Sequence, residues 1–225
     1  DLHFRVQGPV VADLQRIFLE DWQFVSGELP TDPRLFPPLA PCGSAVVRAI
    51  GDGPDRAFRK LEWIVMGALS VARQRVRIMT PYFIPDRPMI VALTTAALRG
   101  VEITLVLPGH NNLPFVAWAS RASYWELIKN GITIYEQQPP FNHTKLFQVD
   151  DCWTLIGSAN LDTRSLRLNF ELNLSVFDLP LSAAIGRYFD QALASSRQVT
   201  LAEVDGRPLP IRLRDGVARL FSPYL

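Results

Sequence analysis

Phe141-Asn142-His143-Thr144-Lys145-Leu146-Phe147-Gln148-Val149-Asp150-Asp151-Cys152-Trp153-Thr154-Leu155-Ile156-Gly157-Ser158-Ala159-Asn160 is the stretch on which the fold turns. Two apolar runs flank Asp150-Asp151, and that pattern predicts a hairpin. Residues two apart in a strand share a face, so His143 and Lys145 are expected to point the same way. Gly157 permits a tight exit from the second strand, and beyond it Ser158 and Asn160 again stand two apart. An imidazole, an ammonium, a hydroxyl and a carboxamide can thereby converge on one small volume. The set suits a phosphodiester. Lys and Asn hold the non-bridging oxygens, while the His attacks phosphorus or moves a proton.

Outward from this hairpin, short β-rich runs alternate with amphipathic stretches. Ser44–Ile50, Val76–Thr80, Val101–Leu107 and Ile132–Tyr135 read as strands. Between them, Phe58, Leu61, Ile64, Val65, Ala68, Leu69 and Ala72 share one helical face. Met89–Leu98 reads as a helix stopped by Gly100, and Phe115–Ile128 as one before Gly131. The alternation predicts an α/β fold with a mixed, mostly parallel β-sheet flanked by α-helices. Prolines 30, 33, 37, 38 and 41 mark 29–43 as a connector, too proline-rich for helix or central strand. Before it, Asp1–Val6 alternates like a strand, and Val10, Leu14, Ile17, Phe18 and Trp22 recur at helical spacing. This opening resembles a later part of the chain. Asp1-Leu2-His3-Phe4-Arg5-Val6 with Pro9, Leu14, Arg16, Ile17 and Phe18 is echoed by Glu171-Leu172-Asn173-Leu174-Ser175-Val176 with Pro180, Ile185, Arg187, Tyr188 and Phe189. If the echo is an internal repeat, residues 1–28 end one copy of a unit and residues 44–225 carry another.

His143, Lys145, Asp150, Gly157, Ser158 and Asn160 fit the HxK(x)4D(x)6GSxN signature of the phospholipase D superfamily. Six fixed residues arise by chance on the order of once in a hundred million start positions. The flanks extend the resemblance, which is to bacterial cardiolipin synthases. They are Thr80-Pro81-Tyr82-Phe83-Ile84-Pro85-Asp86, Leu98-Arg99-Gly100-Val101, Leu161-Asp162-Thr163-Arg164-Ser165, Leu168-Asn169-Phe170-Glu171 and Arg219-Leu220-Phe221-Ser222-Pro223. The resemblance implies a phospholipase D-like fold. It also implies a tail of a first catalytic half at 1–28, the connector at 29–43, and a second half at 44–225.

The chemistry it implies is phosphatidyl transfer, making cardiolipin from phosphatidylglycerol through a phosphohistidine. One histidine attacks phosphorus, and the other protonates the leaving alcohol and then deprotonates the acceptor. His143 takes the acid/base role, Lys145 and Asn160 bind phosphate oxygens, and Ser158 either contacts the phosphate and supports the pocket or caps the next turn. Glu171 orients the imidazole of His143, and Asp1 is the matching carboxylate of the other histidine. Asp150, the aspartate of the motif, is read as structural. No metal or cofactor is implied. The implied partners are a phospholipid, an anionic membrane surface, and either the missing first half or a second copy of the chain. The implied location is the cytoplasmic face of a bacterial inner membrane, with this piece itself soluble. A phospholipase D-type hydrolase or nuclease, or an inactive single-motif piece, remain the alternatives.

The bulk properties narrow the choice. With 225 residues, 48% hydrophobic and 20% charged, the chain has the make-up of a globular protein. Lys plus Arg total 23 against 22 acidic residues, without the basic excess of a dedicated nucleic-acid binder, so no nucleic-acid partner is expected. Cys42 and Cys152 form neither a disulfide framework nor a metal-ligand spacing. His3 and His110 read as structural. Arg164 and Arg167 read equally as lipid-phosphate contacts or a solvated face, and Tyr82 as pocket lining or packing. Leu209–Leu220, with Arg212, Arg214 and Arg219 among apolar residues, fits a membrane-surface helix as well as a terminal helix packed on the core.

Overall fold

A computed structural model of the chain describes residues 1–54 and 58–224. In chain order its elements are α1 (Val10–Ser26), β1 (Val46–Asp52), α2 (Lys60–Val71), β2 (Arg75–Met79), β3 (Phe83–Ile84), α3 (Arg87–Leu98), β4 (Glu102–Pro108), α4 (Pro114–Arg121), α5 (Tyr124–Lys129), β5 (Thr133–Gln137), β6 (Leu146–Val149), β7 (Trp153–Gly157), β8 (Leu161–Asp162), α6 (Thr163–Arg167), β9 (Glu171–Phe177), α7 (Leu179–Ala194), β10 (Ser196–Gln198), α8 (Leu201–Asp205) and α9 (Leu209–Leu220). Short 3-10 turns lie at Pro33–Leu35 and Ser222–Tyr224.

The α/β class and the mixed sheet hold; the parallel majority does not. Eight strands lie in the order β1-β9-β7-β6-β2-β4-β5-β10. Only β2–β4 and β4–β5 are parallel, and the remaining neighbours run antiparallel. Helix–strand alternation implies parallel pairing only where each helix carries the chain across the sheet. Here α3 links β2 to β4, and α4 with α5 links β4 to β5. The other half of the sheet is a meander built on the β6–β7 hairpin. Val149 O accepts from Cys152 N at 3.2 Å to close that turn, with Asp150 and Asp151 at φ 49° and 53°. Asp tolerates this left-handed backbone better than most residues, so the Asp-Asp pair is what allows the turn.

Alternation along each strand sorts the core into two layers. Val76 and Ile78 of β2, Phe147 and Val149 of β6, and Leu155 of β7 pack with α2, α3 and α5. Met79, Leu146 and Ile156 point the other way, onto Phe189 and Ile185 of α7 and Val10 of α1. That second layer also holds buried polar side chains, of which Gln148 and Arg77 are bonded to α7. Gln148 Nε2 donates to Ser182 O at 2.7 Å and to Ser182 Oγ at 2.6 Å. Arg77 donates to Asp190 at 3.0 Å and Asp151 at 2.9 Å, with Gly186 packed so closely that a Cβ there would meet its guanidinium at 2.9 Å.

Two further expectations are corrected. Asp1–Val6 is not a strand: it has no regular secondary structure, and among the described residues no ladder pairs with it. Leu2 and Val6 fix it by side-chain packing on the second layer. The predicted helix over Phe115–Ile128 breaks into α4 and α5. Ser123 donates its N–H at 3.0 Å and its hydroxyl at 2.7 Å to Ser120 O, tightening the chain before α5 restarts. The proline-rich 29–43 connector is irregular apart from its one 3-10 turn.

Candidate active site

Register assembles the site. Met79 pairs with Leu146, Leu146 with Ile156, and Ile156 with Leu174, a row crossing β2, β6, β7 and β9. Along the rim one residue past this row, β2, β6 and β7 end or begin while β9 runs on to Glu171. Thr80, Lys145, Gly157 and Asn173 therefore meet there, from parts of the chain far apart in sequence. Gly157 is required at this crossing, because a Cβ would run into Asn173 Oδ1 and the Leu172 backbone. The rim opens into a cleft of about 680 Å³ lined by His143, Lys145, Ser158, Asn160, Asn169 and Glu171.

His143 and Lys145 precede β6 rather than lying in it, yet they do converge. Lys145 Nζ donates to His143 O at 2.7 Å and stands 3.0 Å from Nδ1. The same Nζ is 3.4 Å from Nε2, so the ammonium lies against the ring rather than on the lone pair of one nitrogen. Tyr82 meets the imidazole edge-on at 5.6 Å, and Phe141 packs beside it at 5.9 Å. Partial burial, and then the Lys145 charge, hold the His143 pKa below its ordinary value. Burial also draws the Lys145 pKa down to about 8, although the Glu171 and Asp162 carboxylates oppose that fall.

Ser158 does not cap a helix. Its N–H bonds Leu172 O at 3.0 Å, its Oγ accepts from Leu172 N at 3.0 Å, and its hydroxyl donates to Glu171 Oε2. Glu171 also accepts from Asn169 Nδ2 at 3.1 Å. The carboxylate expected to orient His143 thus has Ser158 and Asn169 as its hydrogen-bond partners. The carboxylate beside the imidazole is Asp1, with Oδ1 3.8 Å from Nδ1, an ion-pair distance rather than a hydrogen bond. Asn160 is buried, and its Nδ2 donates to Ser165 Oγ at 3.3 Å. Among the described residues its Oδ1 has no partner.

Asp150 stands apart from this group. It accepts from the backbone N–H groups of Arg73 at 2.8 Å, Gln74 at 2.8 Å and Arg75 at 3.0 Å, at the far end of β6. Burial alone would raise its pKa, but those three donors outweigh it and hold the carboxyl below the usual range. Arg167 is in neither of its expected settings: it bonds Asp86 Oδ2 at 2.6 Å and lies 3.6 Å from Glu62. Asp162 is the residue the sequence reading passed over. It caps α6 by accepting from Ser165 N at 2.7 Å, and burial pushes its pKa up to about 6. Its signal was the Asp-x-x-Ser spacing of an N-cap, which marks a helix start but not a charge beside Lys145. Among the described residues, no group of three or more His, Cys, Asp or Glu is placed to hold a metal, and no helix is long and apolar enough to cross a membrane.

Comparison with known proteins bears on this cleft. Residues 65–193 match the family model described as "Cardiolipin synthase, PLD-like domain". The chain is 36% identical over 227 residues to the major cardiolipin synthase ClsA of Bacillus subtilis (strain 168), covering all of this chain and 47% of that protein. It is 34% identical over 227 residues to a cardiolipin synthase of Geobacillus kaustophilus, again covering all of this chain and 45% of that protein. The chain thus spans about half the length of these curated relatives. Among solved structures, phosphatidylserine synthase of Haemophilus influenzae superposes with a TM-score of 0.65 at 16% identity, over 80% of this chain and 48% of that one. Nuc of Salmonella typhimurium, a phospholipase D family member, gives 0.60 at 19% identity, over 70% of this chain and 99% of that one. At such identities the two structures speak for the fold alone.

Proposed function

The chain belongs to the cardiolipin synthase family of PLD-like domains, and from that premise we propose that it supplies one half of a phosphatidyltransferase site. In this reading a histidine outside residues 1–225 attacks the phosphorus of phosphatidylglycerol, forming a phosphorus–nitrogen bond and breaking the bond to the glycerol oxygen. His143, entering as the imidazolium, gives a ring proton to that departing oxygen and becomes neutral. It then takes a proton from the hydroxyl of a second phosphatidylglycerol as that oxygen attacks phosphorus and displaces the histidine. Cardiolipin and glycerol are the products.

The observation that carries the proposal is Lys145 Nζ at 3.0 Å from His143 Nδ1, in one cleft with Asn160. Burial and the adjacent ammonium favour the neutral imidazole, the form that takes a proton from the attacking hydroxyl. The same cation is available to non-bridging phosphate oxygens. The orphaned Asn160 Oδ1 supports a role for that amide. Turning it by half a rotation lets Ser165 Oγ donate to Oδ1 and frees both N–H groups for phosphate. Ser158 and Glu171 brace the rim, and Glu171 offsets the Lys145 charge. Asp150 takes no part in the chemistry. The division into 1–28, 29–43 and 44–225 belongs to the same proposal. So do a partner that is another half or a second copy, a phospholipid substrate, and action at the cytoplasmic membrane face.

Phosphatidylglycerol turnover tests the proposal, comparing the full-length protein carrying this chain with its His143→Ala variant and with residues 1–225 alone. Cardiolipin formed by the full-length protein, and at least 100-fold slower in the variant, is expected for a lost acid/base. Release of phosphatidic acid without cardiolipin would make it a hydrolase instead, and plasmid nicking a nuclease. Turnover by residues 1–225 alone would mean that two copies complete the site.

A further inference from the structure

Helix α9 is mounted the opposite way round from an ordinary surface helix. It rests on α4 through Asp215 and Ala218, 1% and 0% exposed. Asp215 is satisfied there by Arg207 Nη1 at 2.9 Å and Arg214 Nη2 at 2.7 Å. Its apolar residues face outward. Leu209, Leu213, Val217 and Leu220 recur at i, i+4, i+8 and i+11 and are 66%, 60%, 53% and 77% exposed. At 100° per residue they form one stripe centred opposite the Asp215–Ala218 face. Arg212 and Arg219 border the stripe on one side and Arg214 on the other. Phe221 and Tyr224 continue the exposed apolar surface past the helix end, where Phe221 meets Phe115 of α4 at 5.7 Å between ring centroids.

An amphipathic helix normally buries its apolar stripe against its own core. Here the core contact is made by a small residue and a paired carboxylate, and the apolar stripe is left outward. The charges on the helix favour one kind of cover. Its one carboxylate is buried and paired with Arg207 and Arg214, which among the described residues leaves the positive charges of Arg212 and Arg219 uncompensated beside the stripe. Two copies of the stripe placed face to face would set arginines against arginines. An anionic lipid surface takes the stripe among its acyl chains and the arginines among its phosphates. We propose that the outward face of α9, extended by Phe221 and Tyr224, docks onto an anionic phospholipid surface. The cluster that includes Ala218 also holds Ile84 and has Tyr82 packed on it, and Tyr82 lines the catalytic cleft. The docking face is therefore one packing layer from the site.

The inference stands on α9 alone, and its test involves no turnover, so its failure and failure of the transferase reading are distinguishable. Residues 1–225 are sedimented with vesicles of phosphatidylcholine alone and of phosphatidylcholine with an equal amount of phosphatidylglycerol. Binding is expected to the phosphatidylglycerol vesicles and at least roughly ten-fold weaker to the neutral ones. Leu213→Asp with Leu220→Asp removes the binding. Val71→Asp with Leu98→Asp, which charges equally exposed positions on α2 and α3, leaves it unchanged. Arg212→Glu, which alters no buried contact, weakens binding to the phosphatidylglycerol vesicles about five-fold or more. Undiminished binding by the Leu213/Leu220 variant overturns the proposal, and so does equal binding to neutral vesicles. A wild-type dimer that this variant dissociates, with no vesicle binding by either, overturns it in favour of a protein interface.

Discussion

Lys145 and Asp150 bracket strand β6, the first opening into the cleft and the second tying down the backbone that leads into β2. A four-residue strand spans about 13 Å, so the carboxylate is out of reach of a phosphate held by Lys145. Its three backbone hydrogen bonds pin the end of β6 to the start of β2, and the register so fixed sets where Lys145 stands. Asp150→Ala leaves three amides without an acceptor and an alanine at positive φ. A loss of about 2–4 kcal/mol in urea unfolding is expected. Below the melting transition, kcat of the full-length protein should stay within a few-fold of wild type.

Lys145 weakens the fold that it serves. Its folded pKa of about 8 lies below the ordinary lysine value of 10.5, so between these pH values the unfolded chain holds the proton more tightly and stability rises with pH. Lys145→Met removes a half-buried ammonium while filling similar space. It should raise stability at neutral pH by about 1 kcal/mol after allowance for solvent screening. Turnover should fall at least 100-fold. A thermal melt and an activity assay on one preparation test both halves of this prediction.

The same ammonium sets the alkaline limb of activity, which should fall as the pH passes about 8 and Lys145 loses its proton. Asp162 is one of the two carboxylates opposing that loss. Asp162→Asn keeps an acceptor for Ser165 N and removes the charge, so the alkaline limb should move to lower pH with α6 intact. A pH–rate profile that does not move would show that the limb belongs to another group.

Gly157→Ala is expected to be severe. The new Cβ has no room against Asn173 Oδ1 and Leu172 O, and both belong to the strand with which Gly157 must pair. Forcing β7 and β9 apart should cost about 3 kcal/mol or more. Circular dichroism melts will report it as an early loss of structure, with activity lost in parallel.

Much of this was legible in the residues. The hairpin followed from Asp150-Asp151 between apolar runs, and the cleft from His143, Lys145, Ser158 and Asn160 at fixed spacing. Strand direction was not legible, because a strand reads alike whether its neighbour runs with it or against it. Hence α3, α4 and α5 suggested more parallel pairing than the meander of β6, β7 and β9 allows. Asp1–Val6 alternates as a strand does, but alternation reports a buried side and not a backbone partner. Glu171 was assigned to the imidazole by resemblance. Its hydrogen-bond partners, Ser158 and Asn169, depend on side-chain reach across the rim, which spacing along the chain does not encode.

The row Met79, Leu146, Ile156 and Leu174 also sets a timetable. As the polypeptide leaves the ribosome from its amino end, β2 is made early but lacks its antiparallel neighbour until β6 has followed. The row closes only when Leu174 of β9 arrives, and β1, made before the other strands of this sheet, waits on that same strand for its one partner in the sheet. A nascent chain halted in α6 would therefore expose the margins of both β1 and β7. The rim that carries Lys145 and Asn160 would be among the last features to take shape.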